Sequence, residues 1–331
     1  MKAIKISQPN SALLVDIPLP RLQDDEILIK VMASGICGTD IHIYRGDYMG
    51  GYPVIPGHEF SGVIEAVGDQ VTRFQPGDRV AVEPNIPCDN CITCLNNRQN
   101  FCHNWIAIGV TRPGGMAQYT TAPEKAVFDI GEIPFEQGAF MEPLSCVLHG
   151  VSRLQPEIAS RIAIFGAGPI GILLLQVLRL QGAAEVTVVD KNPNRVEFAL
   201  KSGADGIATN LDDLERSYFD CVIDATGAIP VMNRTIEYVR QGGKILLFGV
   251  PPSGENLSLN AFTIFQKGLT VLSSFTSLRN SYQALHLLKQ NRISLEGLIS
   301  HKLSLSDFIT GIETIEKGEE DVKKVMILPN H

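Results

Sequence analysis

The sequence has no run of lysine or arginine and no surplus of them. Twenty-eight basic residues stand against 36 acidic ones in 331, a formal net charge of −8. That shortage argues against nucleic acid or an anionic membrane as a partner. The opening segment MKAIKISQPN lacks an apolar core, so no secretory signal peptide is expected. No internal repeat and no low-complexity stretch is present. An uninterrupted apolar run is missing too. Ile162–Leu180 approaches the ~20 residues of a spanning helix, but Gly166, Gly168, Pro169 and Gly171 break it into a short strand and a buried helix. The seven cysteines do not look like a disulfide framework. Four of them crowd between Cys88 and Cys102, which reads as metal binding in a reducing, cytoplasmic setting. What remains is ordinary globular material, 44% hydrophobic and 19% charged, enough for about two domains at roughly 100–200 residues each.

Residues 1–130 read as β-rich. Ile27–Met32, Ser61–Val67 and Arg79–Val82 are short apolar or alternating runs set off by turn signals such as Gly68-Asp69 and Pro76-Gly77-Asp78. No long helical period appears among them. The texture changes near Gly138. Strands are expected at Arg161–Phe165, Glu185–Val189, Phe219–Asp224, Lys244–Phe248 and Leu269–Ser273. Helices are expected between them at Pro169–Leu180, Pro193–Lys201 and Pro230–Val239. Such alternation means an α/β fold with a doubly wound parallel sheet. Two more helical runs, Ser281–Lys289 and Leu305–Ile315, precede a closing apolar strand, Lys324–Leu328.

The strand at Arg161–Phe165 runs straight into Gly166-Ala167-Gly168-Pro169-Ile170-Gly171, a G-x-G-x-x-G turn that opens a helix. The first glycine makes the tight turn, the second lets backbone approach a pyrophosphate, and the third lets helix and strand pack closely. The next strand ends in Asp190, 24 residues after Gly166, where a carboxylate can bond the ribose hydroxyls of a dinucleotide. It would repel a 2′-phosphate, which favours NAD over NADP. Arg195 can cover the adenine face or, with Lys191, welcome that phosphate. Thr226 and Gly227, Gly249 and Val250, and Ser274 and Phe275 lie at later strand ends, where loops line a switch-point crevice and can flank a nicotinamide.

Two constellations point to metal. Cys88-x2-Cys91-x2-Cys94-x7-Cys102 offers four soft thiolates in one loop, as a closed structural zinc site requires. An iron–sulfur cluster or unpaired surface thiols are the alternatives, and no redox-partner motif favours the cluster. Neighbouring His103 reads as a surface residue. The second set is Cys37 with the adjacent pair His58 and Glu59. A thiolate, an imidazole and a carboxylate make three mixed ligands and leave a fourth position open, the pattern of a catalytic zinc.

Gly57-His58-Glu59 with Gly62 and Gly68 resembles the zinc-alcohol-dehydrogenase signature of the medium-chain dehydrogenase/reductase family. So do Cys37-Gly38-Thr39-Asp40-Ile41-His42, the four-cysteine lobe and the glycine-rich turn, in that order along the chain. The resemblance is to the sorbitol/threonine dehydrogenase branch and implies a GroES-like catalytic domain over 1–140, a Rossmann domain over 141–278, and a return to the catalytic part over 279–331. It implies an active site in the cleft between domains, with Cys37 and His58 as zinc ligands and Glu59 as a carboxylate that binds zinc or exchanges with water. Glu142, in Met141-Glu142-Pro143-Leu144, matches a later ligand position. Asp40 would orient His58. Zinc lowers the pKa of an alcohol bound to it. Hydride can then pass to the nicotinamide, while Thr39 takes the proton and hands it through the cofactor ribose toward His42. A homo-oligomer, dimer or tetramer, is implied as well.

Cys146, Cys221 and His149 read as packing residues. The loop Tyr44–Tyr52, with Arg45, Tyr48 and Met49, is expected to shape the substrate pocket. Sorbitol-type enzymes carry Phe-Arg-Tyr where this chain has Phe275-Thr276-Ser277, so a polyol other than sorbitol, or a polyol phosphate, is expected. L-threonine and 2,3-butanediol are the alternative substrates. A catalytically silent nucleotide-binding sensor is the alternative without turnover; it would have lost a ligand or a glycine of the turn, and none is lost.

Overall fold

The run Arg161–Phe165 has four buried residues of five and forms an inner strand of a six-stranded sheet in the computed structural model. The structure describes residues 1–318 and 322–331. By contact the chain divides into two units, Met1–Ser145 with Ser277–His331, and Cys146–Thr276.

In the second unit every sheet pairing is parallel. The strands run in the order Gly206–Ala208, Glu185–Val189, Arg161–Phe165, Phe219–Asp224, Val239–Leu247 and Thr270–Ser273. Numbered along the chain this is 3-2-1-4-5-6, the doubly wound Rossmann order. Helices Pro169–Leu180 and Pro193–Lys201 each begin on proline, whose fixed φ suits the first turn and whose missing N–H costs nothing there. Asn192 caps the second, its side chain accepting from the N–H groups of Asn194 and Arg195. The stretch that splits Ile162–Leu180 is thus a turn, and no helix among the described residues is long and apolar enough to cross a membrane.

One element differs from expectation. Pro230–Val239 is not a single helix but two four-residue turns, Ile229–Met232 and Thr235–Tyr238. The Thr235 hydroxyl bonds the Met232 carbonyl at 2.7 Å, a local bond that competes with helix continuation. Val239 already belongs to the next strand, which begins there rather than at Lys244, and its register with the preceding strand shifts between Phe219 and Cys221.

The first unit is built on a seven-stranded, mostly antiparallel sheet. Its centre is the ten-residue strand Glu26–Gly35, flanked by Glu59–Val67 and by the C-terminal strand Lys324–Leu328. Ile27, Ile29, Val31, Phe60, Ile64, Val80 and Val82 fill one core. A second core joins Ile4, Ile36 and Ile41 to Phe308, Ile312 and Val325, so the last residues of the chain complete this unit. A short helix, Gly38–Arg45, stands among the strands. It is only eight residues long, with Asp40, Ile41 and Ile43 buried, too short for a helical period to show. The late helical run resolves into a 3₁₀ turn, Leu305–Asp307, and the helix Phe308–Lys317.

Candidate active site and family membership

Strand pairing brings Cys37 and His58-Glu59 together. Gly35, at the end of its strand, lies opposite Glu59, the first residue of the neighbouring one. Cys37 follows as the N-cap of the helix Gly38–Arg45. Ligand atoms of Cys37, His58 and Glu59 all fall within 4.8 Å of one another. Asp40 has no solvent exposure. It accepts the Cys37 N–H at 2.8 Å and the Gly57 N–H at 3.0 Å, tying the two ligand-bearing loops together. Its carboxylate is 3.6 Å from His58 Nδ1, an ion-pair separation rather than a hydrogen bond.

The fit of a metal can be judged from this pocket. His58 Nδ1 is buried with no hydrogen-bond partner. Burial alone would lower the pKa of the imidazole, yet the anions of Asp40 and Cys37 hold it well above its ordinary value. One sulfur, one nitrogen and one oxygen donor that converge within 4.8 Å, the imidazole with a buried nitrogen left unpartnered, fit a divalent zinc ion. Glu142, buried in the first turn of the helix Met141–Leu154, is not among the three residues grouped within 4.8 Å.

Beside this set runs a polar chain only partly read from the sequence. The Tyr48 side chain hydrogen-bonds Thr39, and burial holds its hydroxyl above the ordinary phenol range. Its ring stacks near that of His42, centroids 6.5 Å apart. His42 Nδ1 in turn meets Asp47 at 2.8 Å. Tyr48 also lies within the electrostatic reach of His58, Cys37 and Glu142. Of the other loop residues, Arg45 pairs with Glu316 at 2.7 Å and Met49 is exposed.

Sequence reasoning missed Lys324. It is buried, and its ammonium pairs with the Glu59 carboxylate. Burial would lower its pKa, but the charges of Glu59 and Cys37 raise it. Nothing within 200 residues of Glu59 signals this partner, because the two meet only through the sheet.

Cys88, Cys91, Cys94 and Cys102 also converge within 4.8 Å. None is in a disulfide. The sulfur of Cys91 lies 3.4 Å from that of Cys94 and 3.9 Å from that of Cys102. A tetrahedron with zinc–sulfur bonds of about 2.3 Å has edges of about 3.8 Å, so the cluster fits one ion. The Thr93 hydroxyl, at 3.1 Å, and nearby backbone N–H groups lower the pKa of Cys91, while burial and the neighbouring thiols raise that of Cys94. His103 stands outside the cluster.

In the second unit the glycine-rich turn is built as its spacing predicts. Gly166 has φ 108°. A Cβ at Gly171 would collide with the Gly166 carbonyl, whereas one at Gly168, the N-cap of the helix, would meet nothing within 4 Å. That open space at a helix N-terminus fits a phosphate. The nearby residues Pro169 and Ile170 start the helix. Asp190 accepts the Ala167 N–H at 2.8 Å and the Asn192 N–H at 2.9 Å. Arg195 Nη1 lies 4.0 Å from the same carboxylate.

Buried Asp224, also unsuspected, organises the next strand end. It takes the Thr226 hydroxyl at 2.5 Å and the Gly227 N–H at 3.0 Å, while burial raises its pKa. The backbones at Gly227 and Val250, and at Gly249 and Gly227, approach too closely for any side chain between them. Thr226, Gly227, Gly249 and Val250 therefore form one surface at the C-terminal ends of the strands. Ser274, followed by Phe275, buries a hydroxyl with no partner. Cys221 is buried, which pushes its thiol to about 11. His149 is buried, with Nε2 unpartnered and a lowered pKa. Cys146 lies on the same helix as His149.

The sequence matches the alcohol dehydrogenase GroES-like domain over 23–132 and the zinc-binding dehydrogenase domain over 169–290. It is 38% identical, over 93% of its length and 94% of the relative's, to a D-altritol 5-dehydrogenase of Agrobacterium fabrum. A zinc-binding dehydrogenase of Sinorhizobium meliloti 1021, solved with NADP bound, superposes with a TM-score of 0.92 over 99% of both chains at 31% identity. Galactitol-1-phosphate dehydrogenase from Escherichia coli does so with a TM-score of 0.90 at 29% identity, over 99% of this chain and 100% of that one. Fold, ligand clusters, glycine-rich turn and relatives agree: the chain belongs to the zinc-dependent medium-chain alcohol/polyol dehydrogenases, enzymes that use a nicotinamide nucleotide.

Proposed function

We propose that this enzyme passes hydride between a secondary alcohol of a polyol or sugar alcohol, free or phosphorylated, and NAD, with one catalytic and one structural zinc ion per chain. The observation that carries the reading is the convergence of half-buried Cys37 with buried His58 and Glu59, with the Thr39–Tyr48 hydrogen bond at its side. Zinc held there supplies the Lewis acidity that weakens the hold of an alcohol on its proton. Thr39 receives that proton at its hydroxyl oxygen as its own proton passes to the Tyr48 oxygen that it bonds, and the His42 ring stacks beside Tyr48. Asp40 keeps Cys37 in place, and Glu142 adds a second carboxylate near the site. The names of the altritol and galactitol-1-phosphate enzymes support a polyol substrate.

The rim made by Gly166, Gly168, Gly171, Asp190, Thr226, Gly227, Gly249 and Val250 supports nucleotide binding in the second unit, with Ser274 and Phe275 toward the nicotinamide. Asp190 favours NAD. The NADP in the Sinorhizobium relative and the proximity of Arg195 make this choice the part to test. Exposed Phe262 and Phe265, next to the terminal strand Thr270–Ser273 of the six-stranded sheet, support a homo-oligomer, dimer or tetramer. Seven cysteines, none of them joined in a disulfide, support a reducing, cytoplasmic location.

The test is a panel of polyols, polyol phosphates, vicinal diols and L-threonine with NAD and with NADP, followed at the nicotinamide absorbance. Turnover confined to polyols or their phosphates is the expected result. Preference for L-threonine would move the assignment to that branch, and no turnover at all would favour the sensor reading.

A further inference from the structure

Lys324 opens the C-terminal strand, and its side chain is 5% exposed; that of Glu59 is 2% exposed. Its Nζ binds Glu59 Oε2 and lies 5.9 Å from the centre of the Phe140 ring. The pair occupies space that exists only because position 35 is glycine. A Cβ there would sit on Glu59 Oε2 and 2.7 Å from Lys324 Cε. Gly35 is in register with both Glu59 and Met326, so three strands meet at this contact. An ammonium removed from water this far is held in place by the carboxylate, since separating the two would leave a buried unpaired charge. The pair is therefore a fixed part of the site. It consumes one of the two oxygens that Glu59 can offer.

That matters for the metal. A carboxylate with both oxygens free can chelate, adding a donor and filling the position an alcohol must enter. A carboxylate with one oxygen held in a buried ion pair offers that oxygen less readily and binds most favourably through the other. We propose that Lys324 is a positioning residue of the metal centre: by holding Glu59 Oε2 it restricts Glu59 to one metal-binding oxygen and keeps a coordination position open for substrate. The inference rests on the zinc-alcohol reading above and adds to it the residue that fixes the number of donors.

The experiment uses the full chain with cobalt(II) in place of zinc as a visible probe. Cys37→Ala protein, loaded in the same way, is the blank for the four-cysteine lobe. Lys324→Met and Lys324→Arg are compared with the parent. Lys324→Met should weaken and shift the cobalt bands, as an added donor does. It should abolish their response to alcohol and raise KM for alcohol about 10- to 100-fold, the range of outer-shell effects, with NAD affinity unchanged. Lys324→Arg should keep the parent's bands. If Lys324→Met does not fold or hold cobalt, the double variant Lys324→Met/Glu59→Gln decides. It removes the unpaired charge, and an amide offers the metal one good oxygen, so bands and alcohol response should return to those of the parent.

Parent-like bands in Lys324→Met, Met-like bands in Lys324→Arg, or a folded double variant without parent-like bands would each overturn the proposal. Failure of the alcohol reading looks different. The parent itself would then show no alcohol response and no turnover, while the bands of the variants would still decide the role of Lys324.

Discussion

The carboxylate of Asp40 accepts the backbone N–H of Cys37 at 2.8 Å, so this cysteine of the proposed catalytic set is anchored by the residue three positions after it. The other oxygen of Asp40 reaches Gly57, beside His58. One buried carboxylate thus holds both loops that bear candidate ligands.

Replacing Asp40 by alanine should therefore act on stability and metal together. Two N–H groups would be left without their acceptor, at about 1–3 kcal/mol each where they are buried. We expect a fall of several degrees in Tm and loss of zinc from the three-residue site, with the four-cysteine site retained. Elemental analysis showing both ions still bound would remove Asp40 from the account of the metal centre.

The two zinc sites should separate by consequence. The parent should carry two zinc ions per chain. Cys37→Ala should lose one and all turnover while still binding NAD. Cys94→Ala should lose the other and loosen the lobe around residues 88–102, with activity falling only as far as that disorder spreads. Glu59→Gln and Glu142→Gln should each reduce turnover less than Cys37→Ala. Near-normal turnover in Cys37→Ala with one zinc lost would mean that the reaction uses another electrophile.

Tyr48→Phe removes the hydroxyl that bonds Thr39 and keeps the ring beside His42. If the proton leaves by this route, kcat should drop about 100-fold, the lower end of general acid–base effects. Thr39→Val should cost more. The KM for NAD should stay unchanged in both. Equal kcat in Tyr48→Phe and parent across pH 6–10 would assign the tyrosine to packing.

Cofactor choice is testable at Asp190. Its charge faces the place where the ribose hydroxyls of a dinucleotide would lie. Asp190→Ala should lower kcat/KM for NAD about 10-fold and raise it for NADP, since the nearby Arg195 would then face a phosphate without competition. A parent enzyme that already prefers NADP would contradict the reading before any substitution.

Asp220 should give the second unit a pH-dependent contribution. Burial works to raise its pKa, but the Arg161 N–H, at 2.7 Å, and the Arg240 guanidinium outweigh burial and lower it. A carboxyl lowered on folding stabilises the fold fully above its unfolded value of about 4, and that contribution is lost as pH falls through the folded value. Asp220→Asn should thus cost roughly 2 kcal/mol at pH 7, a difference that narrows below about pH 4. Urea titrations at pH 7 and pH 3 will show it; an equal deficit at both would exclude the ionic origin.

The strands Arg161–Phe165, Glu185–Val189 and Phe219–Asp224 and the helices Pro169–Leu180 and Pro193–Lys201 begin and end where their apolar runs, prolines and glycines say. So do the glycine-rich turn and the four-cysteine loop. In each the decisive contacts lie within a few residues, and local spacing carries the geometry. The paired turns at 229–238 were not legible, because a local Thr235 bond and the early start of the next strand overrode a helical pattern.

Chain order alone was enough to place a thiolate, an imidazole and a carboxylate in short loops, and a carboxylate after the second strand of a nucleotide fold. It left Tyr48 as a pocket residue without a partner, and it gave Lys324 and Asp224 no role. Lys324 reaches Glu59 across 265 residues because sheet pairing returns the C-terminal strand to Gly35. No sequence period records such a meeting. Burial, which turns that meeting from a weak surface ion pair into a fixed element of the metal pocket, exists only once the sheet has closed over it.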